Sequence, residues 1–309
     1  MATKKAASTK KAPVKKSAAA TKTTVRTVSS KTPATPRLTV KPASDAVIEQ
    51  ETNTRLPSNI VNIVFAELIG TFVLTLVAML ALKETGILFV GLAFGAIALA
   101  IGVISGSHIN PAVTFGFWAM RRLKTILLPF YWGAQFLGAM LAVIVLNLIT
   151  NGSLKLDFGH FTSFNWSIFG IELVGAALLM FFVAAAVARQ LTNAGRAAGI
   201  GIALTVALAG ATALYTKVYN ADVAAYQTSA STAEKEPEIP HSIYVGGPVL
   251  NPAVSLAVTE KTKGELMSGA ASKDDAQYSR LTLELIIGTL VGAALGGNLY
   301  LLIAGRQRN

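Results

Sequence analysis

The sequence predicts an all-α membrane protein, with six membrane-spanning helices and two re-entrant half-helices arranged as an inverted repeat. Three observations carry that reading. Of the 309 residues, 52% are hydrophobic and only 14% are charged, and the mean hydropathy is +0.53, whereas a soluble domain carries about 25% charged residues. Six apolar runs approach the ~20 residues that a spanning helix needs. Two shorter segments each open with Asn-Pro-Ala.

Residues 1–57 come first. They hold 12 Lys+Arg against 3 Asp+Glu, a net charge of +9, while residues 58–309 hold 15 against 13, a net charge of +2. The segment is rich in Lys, Ala, Thr, Ser and Pro and has no aromatic residue. It cannot bury enough apolar area to offset its ordering entropy, so it reads as a disordered basic tail. Its composition resembles that of linker-histone tails. The Lys-rich stretch is too long for a signal peptide, and no apolar core follows it directly.

The six apolar runs lie at about 60–82, 87–105, 126–149, 166–188, 197–216 and 281–304. In lipid every backbone polar group needs an internal partner, so each run must be helical. The segments near 108–120 and 249–259 are too short to cross. They read as half-helices, and their non-helical approaches must line a protein-enclosed cavity. Two connections, 217–247 and 260–280, are long and charged. The first either caps a mouth or is a loose insertion.

With the tail placed in the cytoplasm, that side also receives Arg121, Arg122, Lys124, Arg189, Arg196, Arg306 and Arg308. The opposite side receives most of the acids. The positive-inside rule therefore puts both termini in the cytoplasm, in a multi-pass protein of the plasma (inner) membrane.

The chain repeats itself. Ala66-Glu67-Leu68-Ile69-Gly70 matches Ile171-Glu172-Leu173-Val174-Gly175, and Ile109-Asn110-Pro111-Ala112-Val113-Thr114 matches Leu250-Asn251-Pro252-Ala253-Val254-Ser255. Each half, about 58–150 and 165–305, has three spans and one half-helix. Three is odd, so the second half enters from the opposite side, an arrangement that places a transport site at the midplane. With no Cys and three scattered His residues (His108, His160, His241), thiolate chemistry is excluded and a metal site has little support. No cofactor is implied, and an enzyme reading finds no paired groups to act.

On these residues the chain resembles the major intrinsic protein family, the aquaporins and glycerol facilitators. Carrying the resemblance are Ala66–Phe72, Ser105–Thr114, Ala134–Ala139, Ile200–Leu204 and Gly247–Ala253. It covers about 60–305 and leaves the tail outside. It implies the aquaporin-like fold, a passive channel for water or small neutral solutes such as glycerol, and a homotetramer.

Asn-Pro-Ala suits a half-helix start. Pro at the first helical position loses no needed donor, and Asn at the cap satisfies orphan amides or offers its own amide to a solute. Facing starts would set Asn110, Pro111, Ala112, Asn251, Pro252 and Ala253 at the pore centre. Their positive dipole ends would disfavour cations and protons. Glu67 and Glu172 are intramembrane acids, which are costly. The resemblance implies that they accept hydrogen bonds from the re-entrant loops, and proton relay is the competing role. His108 either packs by hydrogen bonding or lines the pore as a pH-sensitive group. Glu284 has no matched partner. The glycines within spans read as packing positions.

One departure bears on selectivity. The family commonly places Arg directly after the second Asn-Pro-Ala, where this chain has Val254. Ungapped counting puts the other outer-filter positions at Val90, Leu208 and Pro248, with Phe94 replacing Val90 if one helical turn is inserted. The inferred filter is apolar and uncharged. It is either wide and permissive or a dewetted gate.

The tail has three readings: binding to anionic membrane lipid, phosphate-driven binding to nucleic acid, or an inert solvated segment. A rival to the channel follows, a non-conducting membrane tether whose tail binds nucleic acid or lipid.

Overall fold

The computed structural model describes residues 55–81, 86–150, 156–157, 164–232, 234–235, 237–269 and 277–305. The chain divides into two units, residues 1–52 and 53–309, and every described residue lies in the second. The expected basic tail, apart from Arg55–Pro57, and His160 lie outside the described residues.

Six helices among the described residues are long and apolar enough to cross a membrane. They are α1 (Ile60–Ala81), α2 (Ile87–Ser105), α4 (Leu128–Thr150, entered by a 3-10 turn at Thr125–Leu127), α5 (Trp166–Ala188), α6 (Asn193–Thr232) and α10 (Leu283–Ala304). The half-helices α3 (Pro111–Ala119) and α8 (Pro252–Ala257) sit in the two halves. The short helices α7 (His241–Tyr244) and α9 (Lys263–Ser268) occupy the long connections. Strands β1 (Leu156–Asp157) and β2 (Gln277–Tyr278) pair in parallel, a link with no signal in the apolar pattern.

Helix α1 shows why these runs fold as spans. Val61, Phe65 and Ile69 recur every four residues and face outward, 61%, 59% and 53% exposed. Glu67, Thr71 and Thr75 face inward, fully buried. Apolar residues meet lipid and polar ones meet protein, the reverse of a soluble helix.

Helix α6 differs from the expected 197–216 span. Its 40 residues make it about 60 Å long at ~1.5 Å per residue, near twice the ~30 Å hydrocarbon layer. The loose-insertion reading of 217–247 therefore fails over Lys217–Thr232. That stretch has neither Gly nor Pro and is rich in Ala, so nothing stops the helix.

The two halves pack alike. A Cβ on Gly138 of α4 would lie 2.3 Å from the Leu68 carbonyl oxygen of α1, and one on Gly292 of α10 would lie 2.2 Å from the Leu173 oxygen of α5. Leu68 and Leu173 are repeat-equivalent. Both helix pairs thus approach backbone to backbone, which only Gly permits there.

Candidate pore

Two loops converge at the centre, one leading into α3 and one into α8. Each ends in an Asn that caps its half-helix from an extended backbone. Asn110 Oδ1 accepts from Ala112 N at 2.8 Å, and Asn251 Oδ1 accepts from Ala253 N at 3.0 Å and Val254 N at 3.3 Å. Pro fills the first helical position of each. Just before the caps, Ile109 and Leu250 take positive φ, 39° and 59°, a conformation that costs non-glycine residues about 1–3 kcal/mol.

The buried carboxylates hold these strained turns. Glu67 accepts from His108 N at 2.9 Å and Ile109 N at 2.6 Å. Glu172 accepts from Val249 N at 3.0 Å and Leu250 N at 2.9 Å. Such charge-assisted bonds are about twice as strong as neutral ones. The loops also hold each other: Asn110 Nδ2 donates to Leu250 O at 2.9 Å and Asn251 Nδ2 donates to Ile109 O at 3.0 Å. An amide carries two N–H groups, and these bonds use one on each Asn.

A cavity of about 10 Å³ adjoins both asparagines. Leu74, Ala78, Val90, Phe94, Leu204, Leu208, Val249 and Val254 complete its wall. Three of the four inferred filter residues, Val90, Leu208 and Val254, are therefore brought together with the Asn pair. Pro248 is buried but outside the wall, and its neighbour Val249 takes the place. Phe94 joins Val90, so the two positions that counting offered as alternatives both contribute. Toward the end bearing Arg122 and Arg196, a larger cavity of about 310 Å³ is lined in part by His108, Phe117 and Asn193. The His108 ring faces that cavity and also packs, stacked on Phe117 at 4.6 Å and close to Tyr131 at 4.7 Å.

Several residues of the site escaped the sequence reading. Gln135 Nε2 donates to Glu67 Oε2 at 2.9 Å and to Thr114 Oγ1 at 2.9 Å. Ser105 Oγ donates to Glu67 Oε1 at 2.6 Å. Arg280, 1% exposed, reaches Glu172 Oε1 at 3.6 Å and donates to the carbonyls of Val245 and Gly247. Burial pulls its guanidinium below the ordinary value, and Glu172 and Glu260 act in the opposite sense. Glu284 sits near His241, with His241 Nδ1 3.9 Å from Glu284 Oε1, and His241 Nε2 lies 2.6 Å from Glu260 Oε1. Gln135 has no counterpart in the last span, so the repeat does not single it out. Arg280 has no repeat partner and reads as loop charge.

The family model for Major intrinsic protein matches residues 58–220, more than half of the chain. The chain belongs to the major intrinsic protein family. Aquaporin Z of Photorhabdus laumondii is 35% identical over 166 residues, covering 46% of this chain and 72% of that protein. Aquaporin NIP2-3 of Zea mays is 36% identical over 118 residues, 38% of this chain and 39% of that one. Aquaporin-1 of Mus musculus is 32% identical over 123 residues, 38% and 45% of the two chains. The alignments to the maize proteins thus span about two-fifths of those proteins' lengths. A solved aquaglyceroporin structure from Plasmodium falciparum superposes with a TM-score of 0.47 at 19% identity, over 80% of this chain and 96% of that one. The aquaporins of this family are channels and not enzymes, and six spans with two half-helices make this member an integral multi-pass membrane protein.

Proposed function

We propose that this family member is a passive channel whose narrow section passes water in single file. The observation that carries the reading is the small cavity at the two caps. Its volume of about 10 Å³ is close to the ~10–15 Å³ that one water needs. Its polar groups are the two Asn amides, each with one N–H to offer, set in an otherwise apolar wall. A water there exchanges its neighbours for two aligned donors, and the facing positive ends of α3 and α8 oppose a cation or a migrating proton. Glycerol requires the apolar wall to widen.

The remaining assignments belong to the same reading. The pore Asn-Pro-Ala triplets, the filter residues Val90, Leu208 and Val254, and the supporting carboxylates Glu67 and Glu172 act as described. The chain assembles as a homotetramer with both termini in the cytoplasm, and the basic tail meets anionic lipid headgroups there. Stopped-flow osmotic shrinkage of proteoliposomes tests the channel. Water permeability well above empty vesicles, with slow glycerol re-swelling, is the expected result. Permeability at background in folded, inserted protein would overturn the reading and leave the tether.

A further inference from the structure

The two halves hold their loops by different chemistry. In the first, Glu67 binds two loop amides and is completed by neutral donors, Ser105 and Gln135. The second half lacks both completing groups. Aligned on the Asn residues, Gly246 stands where Ser105 stands. Aligned on Gly138 and Gly292, Thr289 stands where Gln135 stands, and its hydroxyl turns back to Leu285 O at 2.8 Å. Arg280 supplies what is missing.

We infer that Arg280 is the positioning residue of the 245–250 loop, and that through this loop it sets the size of the narrow section and the discrimination between water and larger neutral solutes. The inference rests on the channel reading for its effect on solutes, but not for its effect on the loop. One guanidinium nitrogen, Arg280 Nη1, donates to both Val245 O and Gly247 O, at 2.7 Å for the latter, while Glu172 grips the same loop by the amides of Val249 and Leu250. Arg280 and Glu172 then face each other at 3.6 Å. Four backbone groups in six residues are thereby fixed from behind the wall. Gly246 and Gly247 carry φ of 75° and 138°, open to many conformations once released. Neither Val245 nor Gly247 lines the narrow cavity, so carbonyls that could serve a solute are turned away and the wall stays apolar. Arg280 holds the carbonyls with Nη1 and faces Glu172 with Nη2; Lys has one nitrogen and cannot occupy both places at once.

The test uses the full chain and Arg280→Lys, with Arg280→Gln alongside, each checked for monodisperse elution and helical content. Hydrogen exchange followed by mass spectrometry reads the loop directly. Exchange over 245–250 rises by about tenfold in the Lys variant while that over 105–110 stays unchanged, as expected for a locally opened segment. In proteoliposomes the glycerol-to-water permeability ratio shifts by about threefold or more, a differential effect on two barriers. Equal scaling of both permeabilities, or unaltered exchange over 245–250, would overturn the inference. The parent protein provides a measurement that needs no variant: its 245–250 amides exchange as slowly as its 105–110 amides, and fast exchange there also overturns the clamp. A parent that conducts neither solute defeats the channel reading, while the exchange results still decide the role of Arg280.

Discussion

Asn110 and Leu250, 140 residues apart in the chain, are joined by a 2.9 Å hydrogen bond from side-chain amide to main-chain carbonyl. Together with its counterpart from Asn251 to Ile109, it makes the meeting of the half-helices a mutual lock. Asn110→Asp keeps the oxygen that caps α3 and loses the donor. Asn110→Ala loses both. The Ala variant is expected to melt lower by an amount corresponding to a cap and a buried bond, about 1–3 kcal/mol, and the Asp variant is expected to show that a cap alone does not restore water permeability. Thermal melting in detergent and stopped-flow shrinkage check the two halves of this statement.

Glu67→Gln and Glu172→Gln should not be equivalent. The named donors to Glu67 are neutral, so its loss of charge weakens bonds by about 1–3 kcal/mol. Glu172 faces Arg280, so its neutralisation strands a buried cation, which costs roughly 3–5 kcal/mol. Melting temperatures should order parent above Glu67→Gln above Glu172→Gln. The reverse order would show that the ion pair adds little.

Gly292→Ala places a Cβ 2.2 Å from the Leu173 oxygen, whereas Gly133→Ala meets nothing within 4 Å. Backbone cannot yield as a side-chain tip can, so the first change is expected to destabilise by at least ~1–3 kcal/mol. The second should be neutral or stabilising by up to ~1 kcal/mol through helix propensity. Paired melting curves decide it.

Val254→Arg puts a long cation into the wall of a cavity of about 10 Å³. Water permeability is expected to fall by about tenfold, equivalent to ~1.4 kcal/mol on the barrier, with glycerol falling at least as far. Unchanged permeabilities in folded protein would place Val254 away from the conducting path.

How much was legible in the sequence follows from what each residue's role depends on. The spans and half-helices were readable because the membrane forces helix wherever ~20 apolar residues occur, and α2 and α5 begin and end at the expected residues. The paired Asn-Pro-Ala starts and the repeated Glu were readable because each appears twice. What stayed hidden acts once or acts through contact. Arg280 lies in a charged connection, and nothing in its neighbours announces that it is buried. Pro248 and Val249 are adjacent in the chain, and counting back from Asn251 cannot tell that Val249 is the one lining the cavity. The outward run of α6 from Lys217 to Thr232 was obscured by its polarity, since the apolar pattern marks where lipid ends and not where the helix does.

The β1–β2 pairing carries a consequence for biosynthesis. Residues 156–157 lie in the connection between the halves, and their partners 277–278 come just before the last span. A nascent chain that has threaded α1 to α5 holds one half-helix with no opposing loop and one strand with no mate. The bonds that lock the two loops together, and the wall residues Val249, Asn251 and Val254, wait on the chain beyond Val245. A chain released early would therefore insert yet remain without a finished conduit, and the cell's membrane would be spared a leak during synthesis.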